Sequence, residues 1–225
     1  MQVLILGASR GIGLELARQC LAAGDRVVAS ARDDAGLARL AALGAQPLTL
    51  DVASAAGCAG LAWPIDGEQF DQVWLVAGVY GPRSSALQAP TQDEFDQVMH
   101  TNVLAAMRLL PQLADADAGL LAPGAKLAVL SSSMGSITLR DSPSGWLYRA
   151  SKAALNSVLK DVSLVLAGRA ICASLHPGWV QTDMGGGGAD LAVAASVASL
   201  RSTVAGLGPG DNGGFFNHDG QPLAW

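Results

Sequence analysis

Gln2-Val3-Leu4-Ile5-Leu6-Gly7-Ala8-Ser9-Arg10-Gly11-Ile12-Gly13 stands at the head of this 225-residue sequence. A short apolar run passes into a glycine-rich turn, and apolar residues then recur at helical spacing from Ile12 to Ala23, with Gly24 suited to end the helix. Strand, turn and helix in that order aim backbone N–H groups and a positive helix terminus at one spot, where a pyrophosphate would sit. Gly7 allows the tight turn, Gly11 the approach of the phosphates, and Gly13 the close packing of helix on strand. Glycine-rich turns also serve structure alone, but this placement between strand and helix favours a dinucleotide site.

Outward from that segment, apolar runs alternate with longer helix-patterned stretches, the mark of a parallel sheet covered on both faces. Strands are expected at Gln2–Leu6, Arg26–Ser30, Pro47–Leu50, Gln72–Ala77, Lys126–Ser131, Ala170–Leu175 and Gly214–Asn217. The predicted fold is therefore α/β: one Rossmann-type, doubly wound parallel sheet of about seven strands, in a single domain spanning 1–225. Thr91 and Glu94 have capping-box spacing at the head of a long helix, Gln92 to about Ala116, in which Pro111 predicts a kink. Leu147–Leu166 makes another long helix, whereas Gly185–Gly188 and Gly206–Gly214 read as mobile loops.

Composition excludes several classes. The chain is 50% hydrophobic and 15% charged, which suits a globular domain, and its 14 Lys and Arg against 19 Asp and Glu argue against nucleic acid. Apolar stretches fall short of the roughly 20 residues needed to span a membrane, and no secretion signal is visible. Cys20, Cys58 and Cys172 are scattered and odd in number, which fits a reducing cytoplasm; with His100, His176 and His218 equally dispersed, no metal site is expected.

The end of the second strand reads Ala29-Ser30-Ala31-Arg32, without the carboxylate that holds ribose hydroxyls in NAD-preferring folds. A cation at Arg32, joined by Arg10, can pair with a 2′-phosphate, so NADP(H) is the expected cofactor; the alternative leaves both arginines as solvated surface residues. Asp51, after the third strand, either accepts from the adenine amino group or caps the following turn.

The chemistry is concentrated in Tyr148-Arg149-Ala150-Ser151-Lys152, where residues four apart share a helix face and aim a phenol and an ammonium at one point. An ammonium roughly 4 Å away offers on the order of 4 kcal/mol to a phenolate that otherwise forms near pH 10, before desolvation subtracts some. Tyr-x-x-x-Lys alone is common on ordinary helices. Here it follows Ser131-Ser132-Ser133-Met134-Gly135, which places hydroxyls at the carboxyl edge of the sheet, where open α/β folds bind ligands.

With Gly-x-x-x-Gly-x-Gly at 7–13, Ser-Ser-x-x-Gly at 131–135 and Tyr-x-x-x-Lys at 148–152, the sequence resembles the short-chain dehydrogenase/reductase family over essentially its whole length. His176-Pro177-Gly178-Trp179-Val180-Gln181-Thr182-Asp183-Met184 and Phe215-Phe216-Asn217-His218-Asp219-Gly220 are similar to the branch of C-factor-like proteins and sniffer-type carbonyl reductases. The resemblance implies hydride transfer between nicotinamide and a carbonyl or alcohol carbon. Tyr148 is then the general acid or base, and Lys152 lowers its pKa and holds the ribose. Ser132 orients the substrate oxygen, with Ser131 and Ser133 as alternatives, and Asn102 holds a water linking the lysine to solvent. Ser9, Ile12, Val52, Ala77 and Gly78 are expected cofactor contacts, as are Pro177, Gly178, Val180 and Thr182 beside the nicotinamide, and Gly185–Gly188 begins a substrate lid.

Leu6 replaces the family's usual Thr, Leu75-Val76-Ala77-Gly78 replaces its Asn-Asn-Ala-Gly, and the interval from Ser132 to Tyr148 is longer than usual. The expected substrate is a small hydrophobic carbonyl or alcohol, bound by loops near Gly81–Leu87, Gly135–Leu147 and Gly185–Leu191; Trp146 and Trp179 either line the pocket or pack. The family also suggests a homodimer or homotetramer packed through 91–116 and 147–166. The alternative is a C-factor-like signalling or regulatory protein that binds nucleotide and retains a reductase site.

Overall fold

A computed structural model describes residues 1–83 and 87–225. Its strands are β1 (Gln2–Leu6), β2 (Arg26–Ala31), β3 (Gln46–Thr49), β4 (Phe70–Leu75), β5 (Leu121–Leu130), β6 (Ala170–His176) and β7 (Gly214–Asn217). They form the expected seven-stranded sheet, in the order β3-β2-β1-β4-β5-β6-β7, and every neighbouring pair is parallel. The chain winds outward from β1 through β2 to β3, then restarts at β4 on the other side. The β1/β4 boundary is thus the switch point where such sheets open a crevice at their carboxyl ends.

Period-two alternation decides which residues fill each layer. Val3 and Ile5 face one core with Leu16, Leu40, Val197 and Leu200, while Leu4 and Leu6 face the other with Leu109, Leu113, Leu155 and Leu159. The first layer comes from α1 (Gly11–Ala22), α2 (Asp34–Leu43) and α7 (Val193–Gly206). The second comes from α3 (Ala55–Ala59), α5 (Ala105–Ala114) and α6 (Trp146–Val165), and α4 (Gln92–Met99) precedes α5. No described helix is long and apolar enough to cross a membrane.

Several elements depart from the sequence pattern. α2 and α7 have short, Ala-rich faces without strong periodicity, and tertiary packing decides them. α2 is delimited by Asp33, whose side chain accepts from Gly36 N at 2.7 Å, and by left-handed Gly44. β5 starts at Leu121 rather than Lys126, because Leu121 pairs with Phe70 beyond the Pro123–Gly124 interruption. The 206–214 segment is docked rather than loose: Gly213 N donates to Cys172 O and Cys172 N to Asn212 Oδ1.

The long helix expected from Gln92 is interrupted by a π turn, His100–Leu104, and Pro111 lies inside α5. The wider i→i+5 turn buries Asn102 and Val103. Thr91 and Glu94 do form the capping box.

Close packing of β1, the glycine turn and α1 yields a stability test. A Cβ on Gly13 would lie 2.2 Å from Gly7 O, a backbone atom that cannot step aside. Gly13→Ala should lower unfolding free energy by about 1–3 kcal/mol, measured by urea denaturation.

Candidate active site

All seven strands send their carboxyl ends to the same side, and the loops there enclose a cleft of about 590 Å³. One end is built by the glycine turn. Gly7 takes φ +98° and its N–H donates to the buried Ser30 hydroxyl at 2.9 Å, which takes over support at a turn that Leu6 cannot hydrogen-bond. A Cβ at Gly7 would lie 2.6 Å from Ala77 N, so the β1 and β4 turns touch. Ser9, Arg10, Gly11, Ile12 and Gly13 line this end, and the α1 N-terminus has no side-chain cap, in contrast to α2 and α4. Its N–H groups face an opening that suits an anion.

Arg32 lies at the same end, exposed, and so does Arg39, whose Nε donates to Ser9 O at 3.1 Å. Arg39 sits on α2 seven residues beyond Arg32, and no motif singles it out in the sequence. Asp33 follows Arg32 along the cleft, but its carboxylate is engaged at the α2 cap. Arg10 pairs with Asp183 at 3.0 Å, an exposed ion pair that ties the glycine turn to the loop after β6. Asp51 lines the cleft and accepts from Ala53 N at 3.0 Å, so it caps the turn after β3 while facing the opening. Val52, Ala77 and Gly78 are on the wall as well.

At the other end, α6 presents Tyr148 and Lys152 to the cleft, both buried. Lys152 Nζ donates to Leu130 O at 2.8 Å and lies 5.7 Å from the centroid of the Tyr148 ring. Burial brings the ammonium down to about 8 and pushes the phenol up to about 12. For Tyr148, the Ser132 hydroxyl opposes the rise and Tyr80 adds to it. Desolvation is the largest influence on the phenol and sets the direction of its shift. Tyr148 is therefore protonated at neutral pH, the state required of an acid.

The serines part company. Ser132, buried at the end of β5, neighbours Tyr148 and accepts from Met134 N at 3.1 Å. Ser133 Oγ lies 3.3 Å from His176 Nε2, and Ser131 Oγ is buried without a partner among the described residues. Asn102 sits behind the wall, with Oδ1 accepting from Val79 N and Nδ2 donating to Val79 O and Ser151 Oγ. A Cβ on Gly78 would lie 3.3 Å from both Asn102 Oδ1 and Lys152 Nζ, so the two groups flank the same glycine.

After β6, Pro177 and Thr182 line the cleft with Asp183 and Met184. Gly178 and Val180 are not on its wall: Gly178 packs against His218 and Leu191, and Val180 is buried in a bridge to Leu191. Trp146 and Trp179 are also off the wall, their indole N–H groups donating to Gln88 O and Gly185 O. Of the expected pocket loop at 81–87, residues 84–86 lie outside the described residues. No cluster of metal-ligating side chains occurs among the described residues.

The buried ammonium predicts a pH-dependent stability. Its folded pKa lies below the ordinary value near 10.5, so the destabilisation is complete below about pH 8 and fades as pH rises toward 10.5. Relative to Lys152→Met, the wild-type chain should gain on the order of 2 kcal/mol between about pH 7 and about pH 9.5, read by urea denaturation of both proteins.

Known proteins share this architecture. A carbonyl reductase from Pseudomonas aeruginosa PAO1, solved in complex with NADP, is 35% identical with a TM-score of 0.87, the match covering 100% of this chain and 99% of that one. The carbonyl reductase Sniffer of D. melanogaster is 32% identical, also with a TM-score of 0.87, over 100% of this chain and 99% of its own. The C-signal protein of Myxococcus xanthus is 39% identical over 101 residues, which span 44% of this chain and 61% of that protein. The short chain dehydrogenase family model matches residues 1–189, and the chain belongs to that family.

Proposed function

We propose that this protein is an NADP(H)-dependent oxidoreductase that reduces a small, hydrophobic carbonyl compound. The observation that carries the reading is one cleft with the uncapped α1 terminus and Arg10, Arg32 and Arg39 at one end and Tyr148 and Lys152 at the other. The donor set fits the cofactor. The N–H groups of Gly11, Ile12 and Gly13 would take the pyrophosphate, and the arginines a 2′-phosphate. When bound, NADPH supplies the hydride. Tyr148 donates its phenolic proton to the carbonyl oxygen, Ser132 holds that oxygen, and Lys152 holds the ribose and offsets charge left on the phenolate.

NADP bound to the P. aeruginosa carbonyl reductase supports the cofactor assignment, and the names of that enzyme and of Sniffer support the substrate class. The partial likeness to C-signal supports the alternative, a signalling or regulatory protein that binds nucleotide and retains the reductase site, and efficient turnover of one carbonyl substrate with NADPH would remove its force. A homo-oligomer packed through α4–α5 and α6 belongs to the same proposal, with Phe95, Met107 and Leu164 exposed on those helices.

Tyr148→Phe removes the proton donor and little cofactor contact. It should cut kcat for NADPH-dependent carbonyl reduction by about 100-fold or more while NADPH affinity stays nearly unchanged; wild-type turnover in the variant would refute the assignment. Arg32→Asp replaces an attraction to the 2′-phosphate with a repulsion. Its Kd for NADPH should rise by about tenfold or more and that for NADH by far less, as read by fluorescence titration with each cofactor.

A further inference from the structure

Tyr148 makes its catalytic contact through a single oxygen, so the orientation of its ring must be held by packing. The chain contains two tyrosines, and they stack on each other: the Tyr80 and Tyr148 ring centroids are 4.6 Å apart with planes 22° from parallel. Tyr80 follows the β4 turn, and besides the stack two contacts hold it. Its hydroxyl abuts the backbone at the head of α6, where a Cβ on Gly145 would lie 2.5 Å from that oxygen. The Arg83 guanidinium lies over its ring, 4.8 Å from the centroid. Arg83 in turn donates to Met184 O, in the loop that follows β6.

We infer that Tyr80 is a positioning residue for carbonyl reduction: it fixes the plane of the Tyr148 ring, and Arg83 clamps it from outside. This rests on the reading of Tyr148 as proton donor. A shift of the acid by about 1 Å can cost on the order of 100-fold in rate even when binding is intact, which makes the stack a determinant of kcat rather than of cofactor affinity. The ring, not the hydroxyl, does this work, so phenylalanine should serve at position 80 and an aliphatic residue should not.

The test compares wild type, Tyr80→Phe, Tyr80→Leu and Arg83→Met, with NADPH and benzaldehyde or cyclohexanone as substrates. Tyr80→Leu should lose about 10- to 100-fold in kcat with NADPH affinity within about twofold of wild type, and Tyr80→Phe should stay within about threefold of wild-type kcat. In protein labelled with ¹³C-tyrosine, the Tyr148 signal should move in Tyr80→Leu through loss of the neighbouring ring and hold its place in Tyr80→Phe. An unimpaired Tyr80→Leu, or a Tyr80→Phe as slow as Tyr80→Leu, overturns the inference. Should Tyr80→Leu fail to bind NADPH and so to fold, Arg83→Met decides: the exposed clamp can be removed without disturbing the core, and its kcat should fall about threefold or more. Wild-type kcat in Arg83→Met then overturns the inference. Absence of wild-type turnover defeats the reductase reading and this inference together, whereas wild-type turnover with an unimpaired Tyr80→Leu defeats the positioning alone.

Discussion

Burying the Lys152 ammonium against the end of β5 is the constraint on which the chemical end of the cleft depends. The amine gives up water for one strong hydrogen bond, to Leu130 O, and the lowered pKa records the cost. That contact pins α6 across the carboxyl end of β5, and the same helical turn then sets Tyr148 beside Ser132. A shorter or neutral residue at 152 would leave α6 without this polar anchor and the phenol without a nearby positive charge. The raised pKa of Tyr148 follows from the same burial. In the proposed reaction a phenol held in its protonated form serves as the acid.

The two ends of the cleft solve opposite electrostatic problems. The phenol and ammonium are dry, where a single charge has large effect. The arginines at the glycine-turn end are solvated, in a chain whose net charge is −5, and they form a local exception to the overall field. Arg10 already has Asp183 as a partner and Arg39 holds Ser9 O. Arg32 has the most freedom to meet a phosphate. The Arg10–Asp183 and Arg83–Met184 contacts both reach the loop after β6, so that loop is tied to each end of the cleft.

Asn102 shows how a local irregularity serves the site. In a regular helix the α4–α5 segment would turn this side chain elsewhere on the helix surface; the π turn at His100–Leu104 brings it inward to bond both backbone groups of Val79 and the Ser151 hydroxyl. Those bonds fasten the β4 turn to α6 immediately behind Lys152. Leu75 and Val76 bring no polar side chain to this turn, which is held by Asn102 and by the Val76 and Ala77 N–H groups donating to Leu6 O.

Gly7–Gly13, Ser131–Gly135 and Tyr148–Lys152 each carry their meaning in adjacent residues. Short-range geometry alone therefore determined the fold class, the glycine turn and the phenol–amine pair. β-strand alternation made the two layers legible for the same reason, since it is a property of successive residues. Arg39 and Tyr80 belong to no such pattern. Each acquires its position from a contact across the sheet edge: Arg39 through Ser9, Tyr80 through Tyr148 and Gly145. The π turn, the placement of Gly178 and Val180 off the wall, and the raised pKa that burial gives Tyr148 are likewise products of packing. Sequence determined which chemical groups the chain owns and which of them lie one helical turn apart. Only the tertiary structure decided which are dry, because burial is the sum of neighbours brought in from distant segments.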